Sequence, residues 1–118
     1  MLFLEYRPEN GAHIDPHLDD EWAWGEQIIN LNLLSSTILT LANSENEIPI
    51  KLDCGDLMVL TGDARHIWTH EIKQEHIKSH RLCITFRDIS EEVQLLRPDI
   101  VKQLSDPTPY FDSSSCCS

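Results

Sequence analysis

His17 and Asp19 stand one residue apart in Gly11-Ala12-His13-Ile14-Asp15-Pro16-His17-Leu18-Asp19-Asp20-Glu21, and an imidazole and a carboxylate so spaced could hold one cation. On an extended chain, side chains two positions apart point the same way, about 7 Å apart, and can converge on an ion; a helix would splay them. Pro16 disfavours a helical Asp15 and supports the extended reading. A His-x-Asp triplet is common by chance, so its meaning depends on partners further along the chain.

His70, in Ile67-Trp68-Thr69-His70-Glu71-Ile72, is the best third ligand, on a separate strand. His66 is the lesser candidate, four residues earlier and on the same face of an extended segment. Two imidazoles and one carboxylate form the set that grips iron(II) by one face and leaves positions open for a co-substrate and dioxygen. Zinc suits the same ligands, so ligand type alone leaves the metal open. A cationic fork discriminates between them. If 2-oxoglutarate takes the open positions, its distal carboxylate needs a bidentate partner, for which arginine is suited and lysine is not. Arg81, Cys83, Thr85 and Arg87 share one face of a strand by parity. The two arginines are roughly 20 Å apart at Cα, with side chains long enough to lean toward a small dicarboxylate between them. Arg81 is the expected salt-bridge residue, and Arg87 a second contact, to that ligand or to the carboxylate of the triad.

The elements that must position these groups are short strands. The chain has 118 residues, enough for one domain with a single core. Strands are expected at Leu2–Tyr6, at 27–34 with Ile29, Leu31 and Leu33 on one face and Asn30 and Asn32 on the other, and at 37–41. Further strands are expected at Glu47–Leu52, where Pro49 argues for an edge or a strand start, at Leu57–Leu60, and over 67–72. In the last strand, 81–87, Leu82, Ile84 and Phe86 are assigned to the core and the odd positions to the other side. The segment 21–25 reads as an aromatic loop. Acidic residues followed by Val93, Leu96, Ile100 and Leu104 at helical spacing predict a helical extension over 91–105, interrupted at Pro98. The Pro/Ser-rich stretch 106–118 is expected to be a disordered tail. Short strands at 8–12-residue spacing point to an all-β barrel or sandwich.

Composition narrows the partners. Asp and Glu number 20 against 9 Lys and Arg, a formal charge of −11, opposite to the basic footprint of phosphate-binding surfaces. Nucleic acid is disfavoured for this segment taken alone. No window approaches the ~20 apolar residues that span a bilayer, so no membrane partner is expected. Cys54, Cys83, Cys116 and Cys117 lack zinc-ribbon spacing and read as reduced thiols of an intracellular protein. The strand-like run that begins at Leu2 suggests a truncated or short-isoform start, with N-terminal sequence missing from the 1–90 core.

Taken in order, His17-Leu18-Asp19, Arg65-His66-Ile67-Trp68-Thr69-His70 and Arg81-Leu82-Cys83-Ile84-Thr85-Phe86-Arg87 resemble the AlkB family of iron(II)/2-oxoglutarate dioxygenases. The string Asp15-Pro16-His17-Leu18-Asp19-Asp20, with Trp22-Ala23-Trp24-Gly25-Glu26 and Leu31-Asn32-Leu33-Leu34-Ser35, is similar to that of its AlkB homologue 4 subfamily. The resemblance covers residues 4 to 90. It implies a double-stranded β-helix (jelly-roll) core with a short C-terminal helical segment, and iron(II) held by His17, Asp19 and His70. It also implies that Arg81 binds the 5-carboxylate of 2-oxoglutarate, that Tyr6 contacts the same co-substrate, and that Arg87 is the strand's final arginine. Glu21 falls where related enzymes carry an acidic substrate-recognition residue. Cys83 departs from the asparagine common in the family two residues after the first arginine, and the family's N-terminal nucleotide-recognition lid is absent.

The implied reaction is an oxidative N-demethylation that consumes 2-oxoglutarate and dioxygen and releases formaldehyde. The implied substrates are methyl-lysine in protein, with actin and actomyosin as the example, and N-methyladenine in DNA. The acidic balance favours protein, and cytoplasm and nucleus are the expected compartments. The alternatives are a non-catalytic metal-binding jelly roll and an interaction module without chemistry.

Overall fold

The computed structural model describes residues 1–104, 110–112 and 116–117, and these form a double-stranded β-helix of two five-stranded sheets. In the first sheet the strand order is β6 (Leu57–Leu60), β3 (Trp24–Leu33), β8 (Arg81–Ile89), β1 (Leu2–Tyr6), β9 (Tyr110–Asp112). In the second it is β10 (Cys116–Cys117), β2 (His13–His17), β7 (Thr69–Ile72), β4 (Thr37–Ala42), β5 (Glu47–Leu52). Antiparallel pairing joins β1 through β8, while β9 and β10 add in parallel to β1 and β2. Within the stretch 106–118, expected to be a disordered tail, Tyr110–Asp112 and Cys116–Cys117 pair with β1 and β2; the rest of that stretch lies outside the described residues.

Local sequence explains most boundaries. Pro49, which has no N–H to donate, lies in β5, an edge strand that among the described residues is bonded only to β4. Gly55 takes φ +92° in the turn between β5 and β6, a left-handed conformation that costs a side-chain-free residue nothing. That turn is tied to β3 by hydrogen bonds from Asn32 N–H to Asp56 O (2.9 Å) and from Gly55 N–H to Asn32 O (2.7 Å). Ser90 caps α2 (Glu91–Leu96) by accepting from Val93 N–H, and α2 buries Val93; α3 (Pro98–Leu104) follows at once, the proline occupying a first-turn position where its missing N–H is harmless.

Three expectations need correction. Ile67 and Trp68 are not strand: Gly62–His66 form a one-turn helix, α1, and β7 begins only at Thr69. Trp24 and Gly25 open β3 rather than belonging to a loop. Most consequentially, the faces of β8 are inverted. Arg81, Cys83 and Thr85 are buried, whereas Phe86 is 39% exposed and Leu82 and Ile84 are half-buried. Cross-strand register carries the same inversion into β3, where Asn32 opposes Cys83, Asn30 opposes Thr85 and Ile28 opposes Arg87. The space between the sheets is therefore lined on this side by polar groups, and the apolar alternation marks the outer face. That outer face is an apolar band in which Ile29, Leu31 and Leu33 lie beside Phe86, Ile84 and Leu82, and Leu57 and Val59 extend it on β6.

The core lies between the sheets. Leu4, Tyr6, Ile28, Leu39, Leu41, Leu52, Leu60 and Ile72 form one buried cluster drawn from both. Within it a cavity of about 250 Å³ remains, walled by β1, β3, β6 and β8 on one side and by β2, β4, β5 and β7 on the other.

Candidate active site

His17 ends β2 and His70 is the second residue of β7, and the two are directly opposed across the antiparallel ladder. Opposed residues send their side chains to the same face. The rings accordingly meet with centroids 4.3 Å apart and planes tilted by 54°. Asp19 arrives differently from the expected way. The strand stops at His17, and Asp19 lies in the loop before β3, so no alternation of faces aligns it. It is nevertheless 7% exposed, with Oδ1 3.2 Å from His17 Nε2 and 3.8 Å from His70 Nε2. One ligand atom from each of the three residues falls within 4.8 Å of the others, a spacing that one metal ion fits.

The hydrogen bonds around the triad set its protonation. His17 Nδ1–H donates to Asp15 O at 2.8 Å, which leaves Nε2 as the atom facing Asp19 and the metal position. The hydrogen bond to Asp19 raises the His17 pKa above its ordinary value, against the opposing effect of burial. Burial presses His70 the other way, down to about 4, with the nearby His17 adding to the shift, so this imidazole is neutral and ready to coordinate. For Asp19, burial alone would raise the carboxyl. Hydrogen bonds from His17 and Arg87, with the Arg87 charge, outweigh it and hold the group far below the usual carboxylate range.

Of the two contacts expected for Arg87, the structure contains the one to the triad's carboxylate: Arg87 Nε donates to Asp19 Oδ2 at 2.8 Å. The carboxylate is thus fixed through one oxygen while the other faces the imidazoles. The Arg87 guanidinium also lies 5.6 Å from the ring centroid of Trp24, which gives that tryptophan a packing task beside the site.

Deeper in the cavity lies Arg81, 2% exposed. Its Nε donates to Asn32 Oδ1 at 2.5 Å, and its guanidinium stacks 4.9 Å from the ring centroid of Tyr6, itself fully buried. Arg81 Nη1 is buried with no hydrogen-bond partner among the described residues. A buried charged donor left so costs well over ~1–3 kcal/mol, which makes this atom a site for an anionic acceptor. Cys83 and Thr85 follow on the same face; Thr85 Oγ1 donates to Asn30 Oδ1 at 2.7 Å, and Cys83 Sγ is 3.6 Å from that same oxygen. Leu4, Ile14, Leu39, Leu52 and Ile72 supply the apolar wall.

The structure brings His17, Asp19, His70, Arg81, Arg87 and Tyr6 around one cavity, and leaves Glu21 outside it. Glu21 is exposed and bonded to His66, whose Nδ1 is 2.9 Å from Glu21 Oε1 and whose Nε2 is 2.9 Å from Glu26 Oε2. His66 is therefore engaged by two carboxylates at the rim and is separate from the triad. Two contributing residues were missed from the sequence. Asn32 orients Arg81 while its amide donates to Ser35 O, Leu52 O and Asp53 O. The signal was present, since Asn30 and Asn32 alternate with Ile29, Leu31 and Leu33. Arg65, buried in α1, was the other, and nothing in its local pattern marks it.

The chemistry of the donor set fits an iron(II) ion and 2-oxoglutarate: a His-Asp-His face for the metal, and in the same cavity an arginine with an unused buried donor for a carboxylate. Comparison with known proteins agrees. Residues 2–87 match the model of the 2OG-Fe(II) oxygenase superfamily. The chain is 39% identical over 121 residues to alpha-ketoglutarate-dependent dioxygenase alkB homolog 4 of Mus musculus, and equally to that of Homo sapiens, covering 75% of this chain and 40% of each relative. It is 28% identical over 94 residues to a DNA N6-methyl adenine demethylase of Caenorhabditis elegans, covering 78% of this chain and 32% of the relative. The chain thus spans about two fifths or less of the length of these relatives. With the domain match over most of its length and the triad and arginine in place, the chain belongs to the 2OG-Fe(II) oxygenase superfamily, as an AlkB-type member similar to homolog 4.

Proposed function

We propose that this chain is the core of an iron(II)/2-oxoglutarate-dependent dioxygenase that removes N-methyl groups oxidatively from a methylated macromolecule. The observation that carries the reading is the meeting, in one cavity, of a His17–Asp19–His70 ligand face with Arg81, whose Nη1 is buried and unpaired among the described residues. Iron(II) with 2-oxoglutarate and dioxygen would supply the oxidising chemistry, and the protein's residues do the rest. His17 Nε2, a His70 ring nitrogen and an Asp19 oxygen would hold the metal, and Arg87, bonded to the other Asp19 oxygen, would keep that carboxylate turned toward it. Arg81, steadied by Asn32 and the Tyr6 ring, anchors the distal carboxylate. The apolar wall limits water around the reacting centre.

For the substrate we favour methyl-lysine in a protein, with actin in actomyosin as the named candidate, over N-methyladenine in DNA. The formal charge of −11 supports this choice, because an acidic surface attracts a cationic side chain and repels a phosphate backbone. Glu21, exposed and paired with His66 outside the cavity, is the proposed substrate contact. Cytoplasm and nucleus are the proposed compartments, since they hold both substrate classes.

The test is turnover of 2-oxoglutarate to succinate with iron(II) and ascorbate, in the presence of methylated peptides and oligonucleotides read by mass spectrometry. The expected result is succinate formation that depends on Asp19 and formaldehyde release with methyl-lysine peptides. Addition of 2-oxoglutarate to the anaerobic iron(II) protein should give a visible charge-transfer band, which zinc cannot give. A folded chain that yields neither band nor succinate overturns the reading in favour of a metal-binding module without turnover.

A further inference from the structure

We propose that Arg65 is a positioning residue that sets the Asp19 carboxylate against the two imidazoles by clamping the main chain of the loop that carries it. This rests on the metal-site reading above. His17 and His70 are placed by strand pairing, but the ladder ends at His17 and Asp19 has no register of its own. Some other device must fix it. Arg65, 2% exposed, directs its whole guanidinium into this loop: Nη1 donates to Asp19 O at 2.9 Å, Nη2 to Asp20 O at 3.2 Å and Nε to Gly25 O at 3.3 Å. The three bonds span the loop from the ligand to the start of β3.

Burying a guanidinium is costly, and a fold that needed only packing here would use an apolar residue. Three main-chain carbonyls in fork geometry offset that cost in a way that a lysine, with one compact ammonium, would reproduce only in part. The loop also stiffens itself, as Asp20 Oδ1 accepts from Trp22 N–H at 2.7 Å and Ala23 N–H at 3.1 Å. Asp19 is therefore held twice, its carbonyl by Arg65 of α1 and its carboxylate by Arg87 of β8.

The experiment measures Mn(II) affinity by the electron paramagnetic resonance of free Mn(II), at a temperature where each variant is folded by circular dichroism. The variants are Arg65→Gln, Arg65→Lys and the control Ile77→Ala, which empties a buried core position that lines neither the cavity nor the loop. Arg65→Gln should weaken Mn(II) binding about 10- to 100-fold and Arg65→Lys less, while Ile77→Ala lowers the melting temperature and leaves Mn(II) affinity nearly unchanged. If Arg65→Gln does not fold, Arg65→Lys carries the comparison. Wild-type affinity in the folded Arg65 variants, or an equal loss in Ile77→Ala, overturns the positioning role. A wild-type chain that binds no Mn(II) removes the metal-site reading, and this role with it.

Discussion

The two ends of the cavity are built on different terms. At the metal end the polar groups brace one another: His17 on Asp15, Asp19 between His17 and Arg87, and Arg65 on the loop behind. At the far end Arg81 is braced by Asn32 and Tyr6, and its buried Nη1 has no hydrogen-bond partner among the described residues. A metal ligand must be preset, because an ion rewards only the correct geometry. A carboxylate pocket must instead keep a donor in reserve. On the proposed function, the first end would serve metal retention and the second co-substrate affinity.

The largest expected effect comes from emptying the braced end. Asp19→Ala should reduce bound iron, measured by elemental analysis, and succinate formation to background. Next, Arg81→Gln should leave iron content intact and raise the KM for 2-oxoglutarate about 100-fold, in line with the ~2–5 kcal/mol lost when one side of a buried charged pair is removed. Arg81→Lys should recover little, lacking the fork. If Arg81→Gln instead lost its metal, the division between the two ends would collapse. A smaller change is expected from Asn32→Ala, which frees Arg81 to move and strands three carbonyls: about a tenfold rise in KM and a loss of ~1–3 kcal/mol by denaturant titration. The smallest concerns the rim. Hydrogen bonds to Glu26 and Glu21 raise the His66 pKa above its ordinary 6.5, so the stabilisation they give is complete below that value and vanishes as pH rises through the raised one. Wild type and His66→Gln should therefore differ in melting temperature at about pH 5.5 and converge at about pH 8.5, with turnover little changed.

Much of this was legible in the sequence because the chemistry resides in residue types that strands rarely tolerate. His17, His70, Arg81 and Arg87 declared themselves by identity and parity, and Pro49 marked an edge. What parity did not supply was the direction of each face. The usual rule sends the apolar side of a strand inward, and it fails on β8 and β3 because the interior there is a binding cavity, so Leu82, Ile84 and Phe86 turn outward. Nor could any local pattern place Asp19 or Arg65, whose roles arise from contacts between a loop and a helix more than 40 residues apart in sequence.

The opposition of His17 and His70 across β2 and β7 has a thermodynamic consequence. In the unfolded chain these imidazoles are strangers, so the site comes into being only with the strand pairing that creates it. Metal bound there would count toward the native state, and at a free concentration ~100 times its dissociation constant it would add up to about 2.7 kcal/mol to the folding balance. That is a sizeable share of the 5–15 kcal/mol that typically separates a native domain from its unfolded chain. Iron supply would thereby help decide how much of this polypeptide is folded at all, before any question of turnover arises.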